Sequence, residues 1–261
     1  MPGLSVVIIT HNEENNILRC LESVKPVADE IVVVDSMSDD RTPAICRDFG
    51  CRVFSREFDG YGSQKQHAVN QACNDWVLSI DADEVVSEEL QNEIIQLFGN
   101  NPASRIPYPA SVNAHAAYRI PFSLYFMGRI LSHGGVGNEF HLRLFDRTKG
   151  AFTTVPVHEG IEVNGPVGSL KGRIIHYSYR DISHHIEKIN TYTSQAAEGY
   201  KNKNRSFSKA WAMFKFPASF ISFYLLKGGF LDGYPGFMWS FLAAVYATLK
   251  VAKTIELTRK P

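Results

Sequence analysis

The feature that most constrains this chain is a set of three short apolar runs rich in β-branched residues. LSVVIIT (4–10), IVVVD (31–35) and WVLSID (76–81) are too short for ordinary helices and do not alternate polar with apolar. Strands of that kind are covered on both faces, and a parallel sheet between two layers of helices covers them. The intervening sequence agrees. Asn12 is placed to cap a helix with Glu13 and Glu14 in its first turn and Ile17, Leu18, Leu21 and Val24 on one face. Pro43 suits the first turn of a second helix ending near Gly50; 52–54 reads as a short strand and 63–74 as a third helix. Ser87 is placed to cap a helix over 88–98, whose Leu90, Ile94, Ile95 and Phe98 form an apolar stripe. This β-α-β-α-β-α-β order predicts an α/β architecture.

In such sheets, ligands bind beyond the carboxyl ends of the strands. Three runs deliver polar residues to that edge: Thr10 with Asn12 and Glu14, then Asp35, then Asp81 and Asp83. Any one alone reads equally well as a turn or cap residue; their convergence on one edge argues for a site. Asp81-Ala82-Asp83-Glu84 is the sharpest element. Two carboxylates flanking a small residue, just past a buried strand, can share a divalent cation. Hard oxygen donors suit Mg²⁺ or Mn²⁺, which also bind diphosphate.

Charge is unevenly placed. The 261 residues include 27 basic and 27 acidic side chains, but residues 1–100 hold 7 and 18, 101–205 hold 13 and 7, and 206–261 hold 7 and 2. The neutral total and acidic front argue against a nucleic-acid partner. The basic rear could face anionic lipid or phosphate, or be an ordinary solvated surface. Cysteines at 20, 46, 51 and 73 form no CxxC pair. Met1 leads straight into a strand-like run without a basic n-region, which predicts reduced thiols in a cytosolic protein.

Beyond residue 100 the texture changes. Pro102, Pro107, Pro109 and Pro121 are expected to interrupt regular structure, and the glycines of 128–137 to form a mobile loop. Short strand-like pieces follow at 140–146, 151–154 and 167–176. Residues 206–261 are rich in aromatic and aliphatic side chains. Their uncharged stretches, 11 residues at 216–226 and 17 at 233–249, fall short of the ~20 that a spanning helix needs. Gly233, Pro235 and Gly236 are expected to shorten the second stretch further. Lys209, Lys215, Lys227, Lys250 and Lys253 flank these stretches and predict amphipathic helices lying in a membrane interface. A hairpin packed on the domain, or on a second copy in a homo-oligomer, is the alternative.

SVVIITHNEENNI, EIVVVDSMSDDRT, DGYGSQKQHAV and DWVLSIDADE together resemble the inverting glycosyltransferases of family 2. The resemblance is strong over 4–98 and weaker through HLRLFDR (141–147), VPVHEG (155–160) and KGGFLDGYPGF (227–237). Within the family the chain is most similar to the bacterial lipopolysaccharide core β-1,4-glucosyltransferase type. The resemblance implies a GT-A fold over 1–205: a Rossmann-like, mostly parallel sheet with helices on both faces. Residues 1–100 would form its nucleotide-sugar-binding half, 101–205 its acceptor half, and 206–261 a helical membrane-associating extension. It also implies a UDP-sugar donor, UDP-glucose by likeness, and a membrane glycolipid acceptor such as the lipopolysaccharide inner core. The protein would then lie peripherally on the cytoplasmic face of the bacterial inner membrane.

Site residues carry over by position. Thr10, Asn12 and Glu14 match the first-strand motif that holds the nucleoside, and Asp35 matches the carboxylate that bonds uracil. Asp81 matches the first acid of the DxD motif, near the donor ribose or sugar, and Asp83 matches the metal-binding acid. Lys65 sits where the family places polar donor contacts. Arg143 could bind diphosphate or an acceptor phosphate, or form an ordinary ion pair. Inverting transfer needs a base for the acceptor hydroxyl. Glu159 in VHEG is the candidate, with Asp146 in reserve. His176 could complete a metal shell, with His158 competing for that role.

No QxxRW motif is present, which argues against a processive polysaccharide synthase. A polyprenyl-phosphate or other surface-glycan acceptor stays open. So does a nucleotidyltransferase or a non-catalytic sugar-nucleotide-binding protein, although THNEEN lacks the glycines of a phosphate loop.

Overall fold

Through residue 98 the chain runs β1 (Leu4–Thr10), α1 (Ile17–Val24), β2 (Glu30–Asp35), α2 (Thr42–Asp48), β3 (Arg52–Ser55), α3 (Tyr61–Gln71), β4 (Trp76–Asp81), β5 (Glu84–Val86) and α4 (Glu88–Phe98). The computed structural model describes residues 3–99, 114–137, 139–153 and 160–259. They fall into two units: Met1–Phe122 with Glu139–His176, and Ser123–Asn138 with Tyr177–Pro261. The boundary expected at 205 lies inside the second unit.

In the first unit, β3, β2, β1 and β4 are adjacent and parallel. Their apolar runs are continuous because both faces are covered. Leu4, Val6, Ile8, Val33, Leu78 and Ile80 enter one core cluster, while Val7, Val32, Val34 and Val77 enter the other. Helix α4 follows its sequence pattern: Ser87 Oγ accepts from Leu90 N at 3.2 Å, and Leu90, Ile94 and Phe98 are buried. Helix α1 starts later than Asn12. That residue has φ +56° and lies outside the helix, in a conformation asparagine tolerates. The Glu13 carbonyl closes a turn onto the amides of Asn16 and Ile17 instead. Leu18, expected on the buried face, is 48% exposed; Cys20 takes the inward position.

The chain continues with β6 (Ala117–Phe126), β7 (Arg129–Leu131), β8 (Phe140–Asp146), β9 (Gly150–Phe152), β10 (Ile161–Val163), β11 (Val167–Ser169) and β12 (Ile174–His176). The full order is β3-β2-β1-β4-β8-β6-β12-β5, in which β4–β8, β8–β6 and β12–β5 are antiparallel, and β11 pairs parallel with β6. Pro121 does not break β6, where it lies opposite Phe140. The Phe122 amide donates to the carbonyl of Glu139, just before β8, so the missing N–H of Pro121 costs that ladder nothing. Pro102, Pro107 and Pro109 lie outside the described residues.

In the second unit, β7 pairs with the Leu124–Phe126 end of β6. The helices are α5 (Ile182–Asn202), α6 (Lys209–Ile221) and α7 (Gly233–Arg259), with a π-helical turn at Ser222–Leu226 and a 3₁₀ turn at Gly229–Asp232 between the last two. Proline does not shorten α7. Pro235 sits in its first turn, where no backbone donor is needed, and the helix runs 27 residues. The glycine-rich 128–137 stretch is tied down rather than loose. Buried Asp232 accepts from Ser132 N at 3.0 Å and His133 N at 2.8 Å, and Trp239 Nε1 donates to Gly134 O at 3.3 Å. Among the described residues, no helix is long and apolar enough to cross a membrane.

Candidate active site

The parallel register brings the predicted residues to one edge. Thr10 pairs with Asp35, and Ile9 with Asp81, so three strands end side by side. Thr10 is buried and its Oγ1 has no hydrogen-bond partner among the described residues. Asp35 is buried, and its carboxylate accepts from Ser38 N at 2.9 Å and Ser38 Oγ at 2.5 Å. Asn12 and Glu14 fasten the loop after β1 to the loop after β2. The Asn12 amide donates to Ser38 Oγ at 2.9 Å, and Asn12 Oδ1 accepts from Asp39 N at 3.0 Å. The Glu14 amide donates to Asp40 Oδ2 at 3.1 Å, and Glu14 Oε2 accepts from Arg41 N at 3.2 Å. Beyond β2 lies a recess of about 350 Å³ lined by Asp35, Met37, Ser38, Pro43, Arg47 and Ser55.

Two strands from β2, at the end of β4, four charged side chains converge, of which Lys65 and Glu84 are buried. Lys65, on α3, is buried, and its ammonium lies 3.1 Å from Asp81 Oδ1 and 3.2 Å from Oδ2. Of the two, only the Oδ2 contact has hydrogen-bond geometry; the Oδ1 atom is buried and accepts no hydrogen bond among the described residues. Arg143, on β8, donates to Glu84 Oε1 at 2.8 Å and to Asp81 Oδ2 at 3.4 Å, with its guanidinium 5.1 Å from the Phe122 ring centroid. Glu84 is 1% exposed and folds back so that its Oε2 accepts the Asp81 amide at 2.8 Å. Burial opposes the Asp81 charge, but Lys65 and Arg143 outweigh it and hold that carboxyl well below the usual carboxylate range. Burial pushes Glu84 up; Arg143 opposes the shift and Asp81 adds to it.

Asp83 stands apart from the two cations. Its Oδ2 lies 3.0 Å from His176 Nε2, at the end of β12, where His176 is in register with Glu84. Burial works against the imidazolium, but the Asp83 carboxylate overcomes it and raises the His176 pKa. No cluster of three or more His, Cys, Asp or Glu suited to a metal occurs among the described residues. A carboxylate and an imidazole nonetheless fit an ion such as Mn²⁺, which takes its other ligands from phosphate oxygens and water.

Thr10, Asp35, Lys65, Asp81, Asp83, Arg143 and His176 thus all belong to the first unit and its strand ends. His158 and Glu159 lie outside the described residues. Asp146 is not at this edge. Because β8 runs antiparallel to β4, Asp146 lies opposite Trp76, at the far end of the strand from Asp81. At ~3.3 Å per residue that is roughly 17 Å away. There it pairs with Lys149 at 2.8 Å. Sequence reasoning gave Glu84 no role, although it directly follows the two aspartates. It also passed over buried Gln64, which ties Ser36 Oγ at 2.9 Å to Arg56 at 2.6 Å.

Comparison with known proteins gives the following. The glycosyl transferase family 2 model matches residues 5–144. A lipopolysaccharide core biosynthesis glycosyltransferase of Rhizobium meliloti, LpsC, is 30% identical over 97% of this chain and 92% of that protein. A glycosyltransferase of Rickettsia typhi is 31% identical over 100% of this chain and 89% of its own. Among solved structures, the mannosyltransferase PcManGT of Pyrobaculum calidifontis, in complex with GDP-Man and Mn²⁺, aligns with a TM-score of 0.52. That alignment covers 99% of this chain and 88% of that one at 14% identity, a likeness of fold.

Proposed function

The chain belongs to glycosyl transferase family 2 and has the GT-A fold, and from that premise we propose that it is a metal-dependent, inverting hexosyltransferase. Its donor is a UDP-sugar, UDP-glucose by likeness, and its acceptor is a membrane-anchored glycolipid of the lipopolysaccharide core. The observation that carries this reading is the ion-pair cluster of Lys65, Asp81, Arg143 and Glu84, with Lys65 and Glu84 buried, at the carboxyl edge of the sheet that Asp35 also reaches. Buried charges persist only where they are paired, and such fixed arrays are typical of sites that bind charged ligands.

In this reading the uracil lies against Asp35, with Thr10, Asn12 and Glu14 shaping the nucleoside end of the site. Lys65 and Arg143 hold Asp81 ionised and in place to accept from donor hydroxyls. Asp83 and His176 would hold Mg²⁺ or Mn²⁺, whose chemistry there is to offset charge on the departing diphosphate. Glu159 takes the acceptor proton as the hydroxyl attacks the anomeric carbon from the face opposite the leaving group. The new glycosidic bond forms as the bond to phosphate breaks, and no covalent enzyme intermediate is needed.

The Rhizobium meliloti relative's role in lipopolysaccharide core synthesis supports the acceptor class. Support for the membrane comes from the second unit, where Leu226 is 80% and Met213 76% exposed and Phe214, Leu225 and Leu231 are exposed as well. Lys215 and Lys227 lie among them, over the rings of Trp211 and Phe223. Exposed apolar side chains among lysines suit a peripheral position on an anionic bilayer, here the cytoplasmic face of the inner membrane.

The test is UDP release from a panel of UDP-sugars with Mn²⁺ or Mg²⁺ and a glycolipid extract. Release from one donor, raised by the extract and absent in Asp83→Ala, is expected. Glu159→Gln should bind donor without turning it over. Failure of the wild-type protein to bind any UDP-sugar would end the reading.

A further inference from the structure

Within the helical unit, α5, α7 and the π-helical turn enclose a cavity of about 350 Å³. That volume falls in the ~300–1,000 Å³ range of small-ligand sites. Its wall is mostly apolar: Ile189, Phe223, Leu242, Ala243 and Ala247, with the rings of Tyr179, Trp239 and Tyr246. A wall of this kind offers a sugar or nucleotide few hydrogen bonds and excludes ordered water. Two lysines, Lys188 and Lys250, also line the cavity. Neither has a carboxylate partner among the described residues. Lys188 donates to the Ser178 carbonyl at 2.9 Å and lies over the Tyr179 ring at 5.5 Å. Lys250 lies between the rings of Tyr200 and Tyr246, at 5.5 Å and 5.4 Å.

His185 packs into the same wall. His185 is 4% exposed and lines the cavity, and its Nδ1 is buried without a hydrogen-bond partner. The ring is stacked 3.8 Å from Tyr179 and 5.7 Å from Trp239, which fixes its plane. Burial, with Lys188 nearby, lowers the imidazole to about 4, so it is neutral near pH 7.

From the apolar wall and the two cations that have no carboxylate partner among the described residues, we infer that this cavity binds the acyl chain of an anionic membrane lipid. The lipid's charged head is met by Lys188 and Lys250. At ~30 Å³ per methylene-sized group the cavity holds about a dozen carbons. The cavity is lined by residues of the second unit alone, whereas the sugar-transfer edge is built from the first. It would anchor lipid whichever hydroxyl accepts the sugar.

The test uses the full chain and dodecyl phosphate below its micelle concentration, followed by titration calorimetry. A single saturable site is expected, with weaker binding of dodecyl maltoside, whose head is neutral. Ala247→Phe, or Ala243→Phe on the same wall, fills the cavity and should weaken binding about tenfold or more. Lys250→Gln should weaken it about two- to fivefold, as expected for an exposed charge pair. Leu226→Asp, on the exposed face, should leave it unchanged. In parallel, a brominated dodecanoate should quench tryptophan emission in Trp211→Phe but not in Trp239→Phe, a reading that does not depend on the filled variants folding. Absence of saturable binding, equal affinity in both filled variants, equal affinity for the maltoside, loss of binding in Leu226→Asp, or quenching that persists without Trp239 would each overturn the assignment.

Discussion

The two units treat charge and apolar surface in opposite ways. At the strand ends of the first, the carboxylates and cations of Glu84, Arg143, Asp81 and Lys65 are drawn into ion pairs with one another, while the apolar residues of β1, β2 and β4 are largely hidden. In the second, Met213, Phe214, Leu225, Leu226 and Leu231 stand outside, and lysines lie on aromatic rings rather than on carboxylates. Buried paired charge suits a small polar ligand recognised atom by atom. Exposed apolar area suits an extended, non-directional partner such as a bilayer.

Substitutions can break this contrast. The largest expected effect is structural: Phe98→Ala, at the buried end of α4, should lower the unfolding free energy by about 3–5 kcal/mol in urea titration. A loss below ~1 kcal/mol would mean the first unit is not the tightly packed one. Asp83→Asn should reduce UDP release about 10²–10³-fold while leaving the urea midpoint near wild type; unchanged turnover would move the chemistry elsewhere. Arg143→Met removes the guanidinium shared by Asp81 and Glu84. Because Glu84 can take up a proton instead of staying charged, the stability loss should stay near ~1–3 kcal/mol, readable as a lowered midpoint. Leu226→Asp should weaken binding to vesicles containing phosphatidylglycerol about tenfold. The smallest effect belongs to the same variant in solution, where stability should change by less than ~0.5 kcal/mol. A large loss there would show that Leu226 is packed and not exposed.

The sequence was legible where local pattern decides structure. Strands β1, β2 and β4 could be read because two covered faces demand unbroken apolar runs, and Ser87 because a cap is a contact over three residues. Misreadings came from contacts between distant residues. Asn12 looked like a cap, but its side chain serves a loop 27 residues away. Pro121 looked like a breaker because strand pairing, which decides whether its amide is missed, is invisible in one sequence. Asp146 looked like a base candidate until strand direction put it at the wrong end of the sheet. Arg143 and Glu84 lie 59 residues apart, so nothing local announced their pairing. Glu159 lies outside the described residues, and its role rests on the family resemblance.

The bonds that join the loop after β1 to the loop after β2 have a thermodynamic consequence. Main-chain amides of Asn12, Glu14, Asp39 and Arg41 are each engaged by a side chain of the opposite loop. Neither loop can loosen without releasing the other, so the pair opens as one cooperative body or not at all. A nucleoside arriving there meets a rim whose conformational entropy was given up during folding, and little remains to be lost on binding. Hydrogen-exchange protection should therefore rise and fall together across both loops, and change little when donor is added.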